Sequence, residues 1–161
     1  VLNLGWAASK VGDWNLNPTA NYNPLNALKV LAVGVDIVFI EFDINDIYAG
    51  TSETAFKNGY RAIYNGIRAV NSTCTIVMLS GNPFNPTYAS QTAQNNFRQY
   101  SKDLALEFDA PYIDQREIYP TYTEMVAAGR MFDDVHANKA HYAWLGGFRA
   151  DKVAQYAAVA P

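Results

Sequence analysis

The stretch Val35-Asp-Ile-Val-Phe-Ile-Glu-Phe-Asp-Ile-Asn-Asp-Ile-Tyr48 changes character halfway along. From Val35 to Phe42 it is an almost unbroken apolar run, the pattern of a strand buried on both faces. Asp43, Asn45 and Asp46 then follow at once. A buried strand that ends in carboxylates and an amide puts those groups at the carboxyl edge of a sheet. In open α/β folds that edge opens into the ligand crevice. The same three residues also read as a loop in which Asn45 and Asp46 cap the next helix.

Upstream of this stretch, Val1 to Gly5 reads as a short apolar strand and Trp6 to Asn23 as a polar surface loop. Pro24 opens a helix to about Val33, with Leu25, Leu28, Leu31 and Ala32 toward the sheet, and Gly34 stops it. Downstream, Thr51 or Ser52 caps a helix that carries Phe56, Tyr60, Ile63, Tyr64 and Ile67 on one face. Thr73 to Ser80 is a second buried strand, closed by the loop Gly81-Asn-Pro-Phe-Asn-Pro86. A helix over about Ser90 to Phe108 and a short strand, Pro111 to Asp114, come next. A helical patch over about Tyr122 to Gly129, a polar loop from Met131 to His141 and a helix from about Tyr142 to Val159 complete the chain. The alternation predicts one domain over residues 1–161 of α/β class, a parallel sheet with helices on both faces.

The 161 residues are half hydrophobic, enough for a core, and carry a formal charge of −3. With no basic run, nucleic acid is not an expected partner. No apolar run is long enough to span a bilayer, so neither is a membrane. Cys74 is the single cysteine, which excludes an internal disulfide and a thiolate metal cluster, and its neighbours place it in the core. Asn71-Ser-Thr73 is a glycosylation sequon, a hint of a secreted or extracellular protein. Eleven tyrosines and three tryptophans exceed what packing asks for. Trp6, Trp14, Tyr22, Tyr48 and Tyr88 fall in loops near the expected crevice, where each either packs or offers a ring to a sugar.

The second polar cluster is Asp133-Asp134-Val135-His136. An Asp three residues before a His lets the carboxylate reach one ring nitrogen. It then fixes the tautomer and supports the imidazolium formed when the other nitrogen takes a proton. Solvated polarity or capping is the plainer reading. His136, His141, Asp133 and Asp134 are also close enough in sequence to form a metal cluster, but such loops more often stay solvated, and His141 is expected to cap or pack against the last helix. No glycine-rich phosphate loop follows any strand, so neither a nucleotide nor another cofactor is expected.

Taken in order, these segments resemble the SGNH (GDSL-type) hydrolases, serine esterases on a flavodoxin-like three-layer α/β/α sandwich. Asp43-Ile-Asn-Asp46 matches their third block, Gly-x-Asn-Asp. Asp133 and His136 match their fifth, Asp-x-x-His. Asn3-Leu-Gly-Trp-Ala-Ala-Ser9 is similar to the second, with Ala8 at its glycine. The resemblance implies His136 as general base, Asp133 as its orienting carboxylate, and the Asn45 amide and Ala8 N–H as oxyanion donors. It implies hydrolysis of carboxylic esters, short-chain or O-acetyl, with carbohydrate among the alcohols. A non-catalytic glycan-binding module on the same fold is the alternative. Asp43 departs from the family's glycine, and a carboxylate aimed into the crevice would oppose the charge of an oxyanion.

The family's nucleophile follows its first strand, and Ser9, Ser52, Ser72, Ser80, Ser90 and Ser101 all lie elsewhere. In the strand order 2-1-3-4-5, the missing strand falls between Val1–Gly5 and Val35–Phe42. The expectation is therefore an upstream strand and turn bearing the serine, with an N-terminal fragment of the same precursor as a possible partner. Two sheet edges would otherwise lack hydrogen-bond partners.

Overall fold

The computed structural model describes residues 9–14 and 33–159. Three parallel strands form its centre in the order β1 (Ile37–Ile40), β2 (Thr75–Leu79), β3 (Tyr112–Ile113). Ile37 pairs with Thr75, Ile40 with Met78, and Met78 with Tyr112. Around the sheet run α1 (Ile44–Tyr48), α2 (Glu53–Arg68), α3 (Gln91–Glu107), α4 (Tyr122–Ala127) and α5 (Lys139–Val159), with a 3-10 turn at Val11–Trp14. The expected strand Val1–Gly5, the helix from Pro24 and Ala8, Trp6 and Tyr22 lie outside the described residues.

The register sorts the sheet into two faces. Ile40, Ile76 and Met78 share a core with Phe56, Tyr60, Ile63 and Ile67 of α2 and Phe97, Leu104 and Ala105 of α3. Phe56 and Phe97 meet edge to face at 4.8 Å, and each such buried ring is worth about 1.5–3 kcal/mol. On the other face Val77, Leu79 and Ile113 pack against Phe148 and Val153 of α5. Helices thus cover both sides, as the alternation of elements predicts.

The reading of β1 as buried on both faces is corrected. Ile37 and Phe39 are 39% and 43% exposed. They lie on the face where α5 covers β2 and β3. An apolar run in sequence cannot tell which of its two faces another element will cover.

The helix ends follow local chemistry. Ser52 caps α2, its side chain accepting from Ala55 N–H, and Ser90 caps α3 by the same bond to Ala93. Thr121 and Glu124 form a reciprocal capping box at α4. The last helix begins earlier than expected, because Asn138 accepts from His141 N–H at 2.9 Å and starts the helix at Lys139. Asn71 of the sequon also acts within the fold. Its amide donates to Val35 O at 3.0 Å, and its Oδ1 accepts from Cys74 N–H at 3.0 Å.

Candidate active site

Asn45 and Asp46 neither lie in a loop nor cap a helix. Asp43 itself caps a short helix, α1, its carboxylate accepting from Ile44 N–H at 2.5 Å. Asn45 and Asp46 sit inside that helix. Asp46 is buried and accepts from Val11 N–H at 3.0 Å, which ties the 3-10 turn to α1. Gly59 makes room for this approach, since a side chain there would crowd Val11. Asn45 Nδ2 donates to Ser9 O at 3.0 Å. The residue that follows Ala8 is thereby brought onto Asn45, and Ala8 itself is outside the described residues.

Asp43 does not aim into the crevice. It points under the β2 loop, to Arg116. Arg116 Nη2 lies 3.4 Å from Asp43 Oδ2, and both side chains are almost fully buried. The guanidinium also holds the loop: Nε donates to Gly81 O at 2.8 Å and Nη2 to Asn82 O at 3.3 Å. Gly81 permits this, because a methyl there would overlap the Asp43 carboxylate. Burial pushes the Asp43 carboxyl up in pKa, and the guanidinium opposes that rise. The carboxylate is therefore matched by a cation beneath the site.

Around this pair lies a polar layer that sequence reasoning missed. Ser80 Oγ donates to Asp114 Oδ1 at 3.1 Å and accepts from Gln115 N–H at 2.9 Å. Arg98 grips Asp114 through Nε at 3.0 Å and through Nη2. Arg149 reaches Gln115 and, at 2.8 Å, Glu41. The one signal in sequence was Asp114-Gln115-Arg116 directly after a strand, three hydrogen-bonding residues at the carboxyl edge of the sheet.

Asp133 and His136 are brought together. The loop that carries them closes on itself through a Met131–Ala137 bridge. Asp133 Oδ1 accepts from the backbone N–H of Val135 at 2.8 Å and of His136 at 2.6 Å. His136 Nδ1 lies 2.9 Å from Asp133 Oδ2. These bonds, the backbone one from His136 first, hold the Asp133 carboxyl down to about 2. The His136 side chain is 68% exposed, and its Nε2 has no hydrogen bond among the described residues.

The two halves of the site flank one loop. Tyr48 of α1 stacks on Phe84 at 6.1 Å, and Asn85 N–H donates to Asp134 O at 2.8 Å. Loop 81–86 thus lies between α1 and the Asp133–His136 loop, and no hydrogen bond joins Asn45 to His136 among the described residues. His141 does not join His136 in a metal cluster. It is fully buried in α5, with Nε2 3.1 Å from Asn82 Oδ1. Burial first, then Arg130 and Arg149, lowers its pKa to about 4. Among the described residues no group of three His, Cys, Asp or Glu side chains could hold a metal ion, and no helix is long and apolar enough to cross a membrane. Of the two roles left open for Trp14, the fold gives packing: it is buried, and its ring meets Phe42 edge to face at 5.9 Å.

A family model described as GDSL-like Lipase/Acylhydrolase family matches residues 1–144. Among solved structures, the chain is similar to Est24, a carbohydrate acetylesterase from Sinorhizobium meliloti. Identity is 16% and the TM-score 0.68, covering 92% of this chain and 75% of that one. It is similar to the inhibitor-bound form of an aryl esterase from M. smegmatis at 16% identity and TM-score 0.68, covering 92% and 74%. At these identities the likeness is one of fold. No curated protein matches the sequence.

Proposed function

The chain belongs to the GDSL-like lipase/acylhydrolase family and is an esterase, and from that premise we propose that it cleaves short-chain or O-acetyl esters by a Ser-His-Asp mechanism. The observation that carries this reading is the Asp133–His136 pair. The carboxylate occupies Nδ1 and leaves Nε2 open to solvent.

In this mechanism Nε2 of His136 takes the proton from a serine hydroxyl as its oxygen bonds to the ester carbonyl carbon. The same proton then passes to the departing alkoxide, which leaves as alcohol. Water repeats the sequence on the acyl-serine, releasing the acid and the serine hydroxyl. Asp133 stays ionised throughout and faces the imidazolium that forms. The Asn45 amide and the Ala8 N–H are the proposed donors to the oxyanion. One N–H of the Asn45 amide is committed to Ser9 O, and an amide carries two, so the second is free for that task.

We place the nucleophilic serine outside these 161 residues, on an upstream segment or a companion fragment of the same precursor. The positions of the chain's own serines support this. Ser52 and Ser90 cap helices, Ser80 and Ser101 are buried, Ser72 lies exposed in the bend before β2 with its carbonyl on Arg68, and Ser9 Oγ accepts from Trp14 Nε1 at 3.2 Å. None bonds His136. The expected substrate joins a small acyl group to a sugar alcohol. The half-exposed rings of Tyr48 and Tyr88 support the sugar, in line with the activity named for Est24.

The test is the intact mass of the isolated protein after treatment with a fluorophosphonate probe. An adduct on a second polypeptide, or on residues upstream of Val1, is the expected result. An adduct on a serine of this chain, or none in a protein that hydrolyses 4-nitrophenyl acetate, would overturn the serine's placement.

A further inference from the structure

Beside the Asp133–His136 pair, loop 81–90, α1 and Asp134 build a surface that the reaction chemistry does not use. We propose that Tyr48, Tyr88 and Asp134 form a subsite for a pyranose ring of an acylated carbohydrate, seated so that the acyl group reaches His136. The proposal rests on the esterase reading and names the substrate class of that site.

The rings are fixed before anything binds. Phe84 is fully buried and stacks on Tyr48 with the planes 17° apart. Tyr48 is nevertheless 48% exposed, so a ring backed by the core still presents surface to solvent. Tyr88 stands 6.0 Å from Tyr48 at an interplanar angle of 48° and is 50% exposed. Two tilted rings make a shallow trough with little side-chain entropy left to lose.

The polar group at the edge of this trough decides the occupant. Tyr122 OH donates to Asp134 Oδ1 at 2.6 Å, and Asn85 N–H holds the Asp134 backbone at 2.8 Å. Hydrogen bonds from the side chains of Tyr122 first, then Asn85 and Tyr88, lower the Asp134 pKa, so it is an ionised acceptor at neutral pH. A flat apolar group such as an aryl ester would fill the trough but bring no donors to that carboxylate. A pyranose supplies both surfaces: a C–H face for the rings and hydroxyls for the carboxylate. Asp134 lies next to Asp133 in the chain and two residues before His136. The subsite and the Asp133–His136 pair therefore share one short loop, closed by the Met131–Ala137 bridge.

Two measurements test this on the isolated protein. In the first, Tyr88→Ala is expected to lower kcat/KM for O-acetylated xylohexaose about tenfold more than for 4-nitrophenyl acetate. A single lost aromatic contact is worth about that factor. Equal effects on both substrates would overturn the subsite. In the second, the binding of unacetylated xylohexaose and of N-acetylchitohexaose to the His136→Ala protein is followed by titration calorimetry, with no turnover involved. Binding of at least one, weakened by Tyr88→Ala and by Asp134→Ala, supports the subsite. Binding of neither, or binding unaffected by both changes, removes it. A protein inert toward 4-nitrophenyl acetate would sink the esterase reading, while the binding titration would still report on the subsite.

Discussion

Asp43 and Arg116 are 73 positions apart in the chain, yet their charged groups meet at 3.4 Å in a space closed to solvent. The pair explains how a carboxylate can occupy a position where the family carries glycine. Asp43 caps α1, which bears Asn45, and its charge is spent beneath the site on a guanidinium that also clamps the carbonyls of Gly81 and Asn82. Asp43→Gly is therefore expected to slow the enzyme and destabilise it, with no gain in rate. Leaving Arg116 buried and unpaired costs roughly 3–5 kcal/mol. Urea denaturation should show that loss, and Asp43→Gly combined with Arg116→Met should recover part of it. A glycine variant that is faster and equally stable would contradict this account.

His136 and Asp133 differ from that pair in being exposed and local. His136→Ala should abolish ester hydrolysis and leave the melting temperature within about a degree, since little packing is lost at an exposed ring. Asp133→Asn keeps an oxygen for the N–H groups of Val135 and His136, so the loop should hold. It removes the charge facing the imidazolium, and kcat should fall roughly a thousandfold or more. Kinetics with 4-nitrophenyl acetate, set beside circular dichroism melts, measure both. Activity surviving His136→Ala would take this residue out of the mechanism.

Asn45→Ala should act on turnover rather than on binding. An oxyanion donor is felt as charge develops in the transition state, and losing one costs roughly a hundred- to a thousandfold in kcat. KM should change little. The Asn45 amide also holds Ser9 O at 3.0 Å. A purely structural role would therefore appear as a lower melting temperature with a smaller kinetic effect. Steady-state kinetics and a melt on the same sample separate the two.

What could be read from the sequence was what is local or periodic. The face of Phe56, Tyr60, Ile63 and Ile67 recurs at helical spacing, so α2 and its buried side were legible. Asp133 and His136 were legible because three residues of loop set their distance. The Asp43–Arg116 contact was not, since no spacing links residues on different strand ends and the sheet register alone brings them together. The same holds for the link between His141 and Asn82. The exposure of Ile37 and Phe39 was hidden because a continuous apolar run carries no mark of which face is covered. The choice for Trp14 between packing and a sugar contact stayed open because a polar neighbourhood in sequence says nothing of a ring that folds back onto Phe42.

His141 provides a test of the buried layer through pH. With Asn82 Oδ1 as acceptor, Nε2 carries the proton, and a second proton on Nδ1 would have to enter a site closed to water and near Arg130 and Arg149. The folded pKa is about 4, against about 6.5 in an unfolded chain. Between these values the unfolded state binds more protons, so stability rises with pH there and falls as the solution is acidified. From pH 7 to pH 5 the loss assigned to this one residue is roughly 2 kcal/mol. Replacing it by His141→Gln, which can still donate to Asn82, should lower stability at pH 7 yet flatten the dependence between pH 7 and 5 by about that amount. Urea midpoints at the two pH values for parent and variant decide it. Identical pH slopes would mean that His141 is protonated in the folded protein at no cost, and that the layer beneath the site is open to water.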